Sequence, residues 1–348
     1  MRRLSADEVR WLRVRAQGLA GDASGSVADA VRAAAAVQAQ AAGPARLQIW
    51  SRTQGLRAAD VDAAVADRAV VRTWLMRGTI HMVAADDLRP FLALLGPVNL
   101  AAGRRRREQL GLTDALCARA IGAFAEILAG GRALTRAELV AELGGHGVVI
   151  ELKTQQSPHL LAFAANSALI CRGPDAARDE PTYVLLDEWL KPADAAPPDR
   201  ETALRRLAGR YFAAYGPATT ADLAAWSGLS AADANAAFDL IRDSLDEVGY
   251  ENRRLFVPGG AQPAPPERPH RLLARFDPYL LGHRSRELIL DPVFAKRVNA
   301  GGGMIAQTML DAGRVVGTWK SGQLEPFEDL SAAAVEAWQP ELAAAAAF

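Results

Sequence analysis

Gln38 and Gln40 are two side-chain amides separated by one residue, in an alanine-rich segment just before Gly43-Pro44. On an extended segment, residues two apart project from the same face, so the two amides would bind one small ligand together. An amide cannot act as a general base near neutral pH, but its carbonyl dipole can stabilise a developing positive charge. The alternative is a pair of solvated helix residues, since glutamine is a good helix former and alanines precede the pair. The spacing alone leaves both interpretations open.

Arg77, Thr79 and His81 follow the glutamine pair in a predicted hairpin. Thr79 and His81 alternate along one strand and therefore share a face. There they would bind a phosphate group, and an equally weighted alternative is that they are ordinary hairpin residues. Arg77 lies in the predicted turn and adds a positive charge beside them.

His283, Arg284 and Arg286 occur together in a predicted loop at residues 282–286. Such a loop can simply be solvated. It can also insert into a nucleic-acid groove, because arginine favours the negative potential of a narrow minor groove. We therefore treat these three residues as candidate DNA-binding residues together with those of the hairpin.

Composition excludes several classes of protein. The 348 residues carry 40 acidic and 40 basic side chains, and a formal net charge of zero argues against nonspecific coating of nucleic acid. No apolar run is long enough to span a membrane, and the N-terminal residues contain no signal-peptide core, so we expect a cytoplasmic protein. Cys117 and Cys171 lie far apart and are expected in the core, and the histidines show no metal-ligand spacing. Neither a metal nor a cofactor is expected.

Capping patterns mark the helices of the predicted first two units. Ser5 with Glu8, and Thr135 with Glu138, are a capping residue followed three positions later by an acidic residue. In the first unit we predict helices over residues 5–18, 26–36 and 58–66 and strands over 70–76 and 79–83. In the second unit, which begins near residue 113, we predict helices from 135 and over 158–167 and strands over 168–172 and 182–186. Helices followed by a hairpin are the outline of a winged helix.

The third unit follows a proline-rich and alanine-rich linker predicted at residues 192–198. Its helices are predicted from 219 and from 230, around a glycine-containing turn, with strands over 245–248 and 254–257. After a second proline-rich joint, short strands predict a small β-rich region. The expected domains are residues 1–95 (first winged helix), 96–195 (second), 199–260 (third) and 261–348 (C-terminal β-rich domain).

Three winged-helix units in one chain favour a DNA-binding protein, although any single unit can instead mediate protein contacts. An enzyme acting on DNA, a transcription regulator and a noncatalytic scaffold all fit the modules. A regulator normally dimerises on palindromic sites, whereas three different modules in one chain can surround DNA as a monomer. We therefore expect a monomer bound to double-stranded DNA, with no membrane partner.

Three groups of motifs make the resemblance to a family specific. They are Gln38-Ala39-Gln40 with Ile49-Trp50-Ser51-Arg52, the segment Arg72–His81, and Phe276–Gly282 with Gly317-Thr318-Trp319. With these motifs the chain resembles, over nearly its whole length, the bacterial winged-helix DNA glycosylases called AlkZ-like, which include azinomycin-resistance and interstrand-crosslink glycosylases. The resemblance implies a mainly α fold with β, in which three tandem winged helices and a C-terminal β-barrel-like domain form a C-shaped assembly that cradles duplex DNA.

The resemblance also implies an activity, which is monofunctional excision of N7-alkylated purines, bulky or crosslinked, by hydrolysis of the N-glycosidic bond. The family's catalytic Gln-x-Gln pair falls on Gln38 and Gln40. An N7-alkylated purine is already cationic and leaves without protonation, so the enzyme has to stabilise an oxocarbenium-like sugar and direct water to C1′. His283 and Ser285 stand where tyrosine and aspartate are more usual in the family.

Overall fold

The computed structural model describes residues 1–21, 24–190 and 198–348. The longer helices are α1 (Ala6–Ala16), α2 (Val27–Ala33), α3 (Ala42–Trp50), α4 (Ala58–Ala66), α5 (Ala85–Gln109), α6 (Asp114–Ile127), α7 (Arg136–Leu143), α8 (Gln156–Asn166), α10 (Arg200–Tyr215), α11 (Thr220–Ser227), α12 (Ala231–Asp239), α15 (Ala332–Ala337) and α16 (Gln339–Ala347). The single-turn helices are α9 (Leu186–Trp189), α13 (Pro278–Leu281) and α14 (Ala295–Val298).

Within the described residues, the strands form three sheets. They are β1 (Arg2–Arg3), β2 (Val37–Gln38), β3 (Val70–Trp74), β4 (Ile80–Ala84), β5 (Leu134–Thr135), β6 (Ile170–Arg172), β7 (Thr182–Leu185), β8 (Leu245–Tyr250), β9 (Arg253–Pro258), β10 (His270–Leu273), β11 (Thr308–Asp311), β12 (Arg314–Lys320) and β13 (Gln323–Pro326). The chain is therefore a mixed α and β protein. None of the helices in the described ranges combines the length and apolar composition needed to cross a bilayer.

The first unit has the order helix, strand, helix, helix, strand, strand, formed by α2, β2, α3, α4, β3 and β4. Ser26 caps α2, because its hydroxyl accepts a hydrogen bond from the backbone N–H of Asp29 at 3.1 Å. The sequence did not predict α3, whose N-cap residue Ala41 has no side chain that can accept such a bond. Gln38 lies on the short strand β2, so the extended interpretation of this segment is confirmed for that residue.

The same order of elements recurs twice. The second unit runs α6, β5, α7, α8, β6, β7, and the third runs α10, a single β-bridge at Ala218, α11, α12, β8, β9. The predicted capping box of Thr135 and Glu138 begins α7. Gly228 ends α11 with a φ of 86°, a left-handed conformation that glycine adopts without strain. The linker predicted at 192–198 lies, except for Pro198, outside the described residues.

The hairpins of the first two units join into one antiparallel sheet of order β2-β4-β3-β6-β7-β5. The junction is the single register pair Arg72 and Arg172. Buried hydrogen bonds reinforce it, since Arg72 donates to Asp175 and to the carbonyl of Gly173, both at 2.6 Å. The second unit is thereby fixed against the first unit's hairpin.

The first residues of the chain contact the third unit, although the predicted first domain starts at residue 1. Strand β1 pairs in parallel with β8, with Arg2 opposite Val248. Leu4 and Val9 pack in one apolar cluster with Leu255 of β9. The C-terminal region also departs from expectation, because residues 261–348 contain an open four-stranded sheet of order β10-β11-β12-β13 and no closed barrel. Helix α16 packs against β10, and its Leu342 shares an apolar cluster with Leu272 of β10 and Met309 of β11.

A fully buried ion pair joins the first unit to the C-terminal region. Arg52, just after α3, donates to both carboxylate oxygens of Asp277, at 2.8 and 2.9 Å, and neither side chain is exposed. Arg52 also donates to Gln17 Oε1 at 2.9 Å, and Gln17 donates to the carbonyl of Ala214 in α10 at 2.8 Å. Asp277 in turn accepts from the backbone N–H of Tyr279 at 2.9 Å. These bonds connect four distant parts of the chain at one point.

We predict that Asp277→Asn lowers the free energy of unfolding by about 3–5 kcal/mol, because removing one partner leaves the Arg52 charge buried and uncompensated. The measurement is urea denaturation at neutral pH. Asp62→Asn is the control, since it weakens a half-exposed ion pair with Arg46 and should cost less than about 1 kcal/mol. Equal stability of the two variants would contradict the prediction.

Candidate active site

The Gln38-Ala39-Gln40 segment lies at the edge of the six-stranded sheet. Strand β2 pairs with β4, which places Gln38 directly opposite His81. The pairing continues one residue further, where the backbone N–H of Ala39 donates to the carbonyl of Ile80 at 2.8 Å. Ala39 is buried, Gln38 is half-buried and Gln40 is exposed. The backbone is thus anchored while the two amides remain within reach of a ligand.

The two amides contact each other. Gln38 Nε2 donates a hydrogen bond to Gln40 Oε1 at 3.0 Å. In the described residues, Gln38 Oε1 and Gln40 Nε2 have no further hydrogen-bond partner. The pair therefore presents the free carbonyl oxygen of Gln38 and the free NH2 group of Gln40, which suit a cationic sugar and a water molecule or phosphate.

His81 is a neutral group at physiological pH. Its side chain is 5% exposed, and burial lowers its pKa to about 4, with a smaller contribution from the Arg77 charge. Its Nδ1 lies 3.0 Å from the carbonyl of Thr79, whose hydroxyl donates to the carbonyl of Met76 at 3.1 Å. The structure therefore brings His81 and Gln38 together, and neither carries a charge at pH 7.

Arg77 connects the hairpin of the first unit to the third unit. It occupies the turn between β3 and β4 with a φ of 53°. Its guanidinium donates to the carbonyls of Ala225, at 3.1 Å, and Trp226, near the end of α11. A cation there is favourable because helix carbonyls point toward it. Burial lowers the pKa of Arg77.

The three candidate residues of the loop at 282–286 have different surroundings. His283 Nε2 lies 3.0 Å from the carbonyl of Tyr215, and its ring packs edge-on against that tyrosine with centroids 6.0 Å apart. Arg286 donates to the carbonyl of Leu280 at 2.6 Å and to Asn299 at 3.3 Å. The side chain of Arg284 is exposed. Two side chains of the loop therefore make intramolecular bonds, and Arg284 faces solvent.

The charge of Arg77 in the hairpin turn acts both on His81 and on Arg286 of this loop. The Arg77 charge contributes to lowering the pKa of both His81 and Arg286, after burial as the main cause. Arg77 therefore lies within electrostatic range of both groups. Among the described residues, no cluster of three His, Cys, Asp or Glu side chains could hold a metal ion.

Sequence reasoning missed two residues that contact this segment. Gln48 of α3 donates to the carbonyl of Gln38 at 3.2 Å, and Arg172 of β6 donates to the carbonyls of Ala39 and Gln40 at 3.2 and 3.3 Å. Their partners are main-chain atoms, which leave no trace in residue type or spacing. Only the position of Arg172 at the end of a predicted strand was available as a signal.

The fold matches a solved DNA glycosylase. The structure of Streptomyces sahachiroi DNA glycosylase AlkZ superposes with a TM-score of 0.85 at 28% identity, and the match covers 99% of this chain and 97% of that one. The protein is accordingly an enzyme of the DNA glycosylase class. The model of the family described as "DNA glycosylase AlkZ-like" matches residues 31–348, so the chain belongs to this family. A relative from the same organism, an interstrand DNA cross-link repair glycosylase, is 29% identical over 336 residues, which cover 91% of this chain and 89% of its own.

We predict that the protein loses stability as the pH falls below about 6.5. Burial lowers the folded-state pKa of His81 to about 4 and, with the nearby Arg13 charge, that of His283 to about 3, so the unfolded chain binds these protons first. Stability present above pH 6.5 is lost as the pH falls toward the folded pKa, by about 3 kcal/mol for His81 at pH 4. Urea unfolding at pH 7.5, 6 and 4.5 measures this loss.

The control is His81→Gln, which removes one titrating group. Its stability should depend less steeply on pH between 6.5 and 4.5 than that of the parent protein. Equal slopes for both proteins would show that His81 is not held neutral by burial.

Proposed function

We propose that this glycosylase excises N7-alkylated purines, including those in interstrand crosslinks, by hydrolysis of the N-glycosidic bond in duplex DNA. The observation that carries the proposal is the contact between Gln38 and Gln40, whose amides share one edge of the sheet and are bonded at 3.0 Å. The printed function of the Streptomyces sahachiroi relative supports the crosslinked substrate. A transcription regulator is not favoured, because the family to which the chain belongs is one of DNA glycosylases.

In the proposed mechanism, both amides act as dipoles. An N7-alkylated purine carries a positive charge and can depart without protonation, so no general acid is required. The free carbonyl oxygen of Gln38 stabilises the oxocarbenium-like sugar, and Gln40 orients the water that attacks C1′. His81, with its pKa of about 4, stays neutral beside Gln38 and does not repel the cationic sugar. The site should therefore excise cationic lesions and leave neutral bases in place.

DNA binding in this proposal uses the three repeated units as winged helices, arranged in a C shape around the duplex by a monomer in the cytoplasm. Arg284 is the loop residue best placed to contact DNA, because its side chain is exposed and its backbone N–H is held by Asp222 at 3.0 Å. His283 and Arg286 contribute by holding the loop in shape. We assign the hairpin residues Arg77, Thr79 and His81 to DNA binding beside the lesion.

We predict that Gln38→Ala or Gln40→Ala slows single-turnover excision of N7-methylguanine by about tenfold to a thousandfold, the range for losing a positioned polar group in a transition state. DNA affinity should hardly change, because both side chains lie at one edge of a large binding surface. Abasic-site formation and equilibrium binding on the same duplex measure the two effects.

Asn99→Ala is a matched amide control on α5, where the side chain donates to the carbonyl of Leu75 at 2.7 Å and is outside the glutamine pair. Its excision rate should remain near that of the parent. Full activity of the Gln38→Ala/Gln40→Ala double variant would rule out the catalytic assignment, even though the protein is a glycosylase.

We predict that Arg284→Ala weakens binding to duplex DNA about threefold to tenfold and lowers the salt dependence of binding, because one phosphate contact is lost. Its thermal stability should change by no more than about half a kcal/mol, as for most exposed substitutions. Arg286→Ala is the contrast, since it loses the bonds to Leu280 and Asn299 and should destabilise the protein. Unchanged DNA affinity of Arg284→Ala would remove this residue from the interface.

A further inference from the structure

Three consecutive backbone carbonyls beneath the glutamine pair are held by two buried side chains. Gln48 Nε2 donates to the carbonyl of Gln38 at 3.2 Å. Arg172 Nη1 donates to the carbonyls of Ala39 and Gln40, at 3.2 and 3.3 Å. Gln48 is fully buried and Arg172 is 8% exposed. The peptide groups of the segment are therefore fixed from the protein side.

The guanidinium of Arg172 also lies near an aromatic pair. It lies over the ring of Trp74, 5.9 Å from the centroid. Trp74 is stacked on Tyr183 of β7, with centroids 6.4 Å apart and an interplanar angle of 20°. A planar guanidinium packs on such a ring and still donates at its edge, which a lysine ammonium cannot reproduce.

The two side chains come from different parts of the fold. Arg172 belongs to β6 of the second unit, whereas Gln48 lies on α3 of the first. Gln48 Nε2 also donates to the carbonyl of Arg275 in the C-terminal region, at 3.1 Å. The position of the glutamine segment thus depends on contacts that three regions of the protein make together.

We propose that Arg172 and Gln48 are positioning residues for excision, which set the direction of the Gln38 and Gln40 amides by fixing their main-chain carbonyls. The inference rests on the proposed catalytic role of those two glutamines. It needs no contact of Arg172 or Gln48 with DNA, since both are buried. A displacement of about 1 Å in a catalytic group can cost on the order of 100-fold in rate, so loss of these bonds acts on the rate of the chemical step.

The first test compares Arg172→Lys with Arg72→Lys. Arg72 is the register partner of Arg172, is 5% exposed, and donates to Asp175 and Gly173 instead of to the glutamine segment. We expect Arg172→Lys to slow single-turnover excision of N7-methylguanine about tenfold to a hundredfold, with the dissociation constant for the same duplex changed less than twofold. Arg72→Lys should change the excision rate less than threefold. A similar loss of rate in both variants would overturn the proposal.

Gln48→Met is the second variant, because it keeps the side-chain volume and removes the amide. It should reproduce the separation between a slow excision rate and normal DNA affinity. This variant keeps the proposal testable if Arg172→Lys does not fold. A rate equal to that of the parent would remove Gln48 from the positioning role.

A double variant shows whether the residues act through the glutamine pair. In the Gln40→Ala background, adding Arg172→Lys should slow excision less than threefold further, because the side chain being positioned is already absent. Full multiplication of the two single effects would contradict the proposal. If Gln40→Ala and Gln38→Ala are themselves fully active, the catalytic assignment fails first, and this result is distinguishable from a failure of Arg172 alone.

Discussion

The buried pair of Arg52 and Asp277 is the constraint on which the arrangement of the regions depends. Desolvating two charges is costly, and the cost is offset only when geometry and additional hydrogen bonds satisfy both groups. Here Gln17, the backbone of Tyr279 and the paired carboxylate oxygens supply those bonds. Because each partner belongs to a different part of the chain, these bonds form only when α1, α3 and the C-terminal region meet. The same meeting point brings Gln48 to the carbonyl of Arg275.

The backbone of the glutamine segment is held by buried donors, and its two amides are bonded to each other. The carbonyls of residues 38–40 face buried donors, whereas the amides extend from the sheet edge. Neutral His81 adds no charge to this environment. A site built in this way can interact with developing positive charge through dipoles that need little reorganisation, which is how preorganised polar groups are most effective.

The sequence predicted those parts of the structure that depend on local chemistry. The pair Thr135 and Glu138 predicted α7, because each side chain bonds the backbone N–H of the other residue within one turn. Helix α3 had no such signal, since Ala41 cannot cap it. The family resemblance implied a β-barrel-like C-terminal domain, whereas the structure has an open four-stranded sheet there, because its outer strands β10 and β13 do not pair with each other. Arg172 and Gln48 could not be recognised as residues of the site, since they bind main-chain atoms, which leave no pattern in the residue types.

Strand β1 cannot pair until β8 has been synthesised, although β1 itself is made much earlier. About 245 residues lie between Arg2 and its partner Val248. At about 5–20 residues per second, the ribosome completes that partner roughly 12–50 seconds after the first strand emerges. Until then Leu4, Val9 and Leu12 lack the apolar surface that covers them in the folded protein. These three side chains are therefore covered only after β8 and β9 have been synthesised, so this apolar cluster forms late relative to the synthesis of α1.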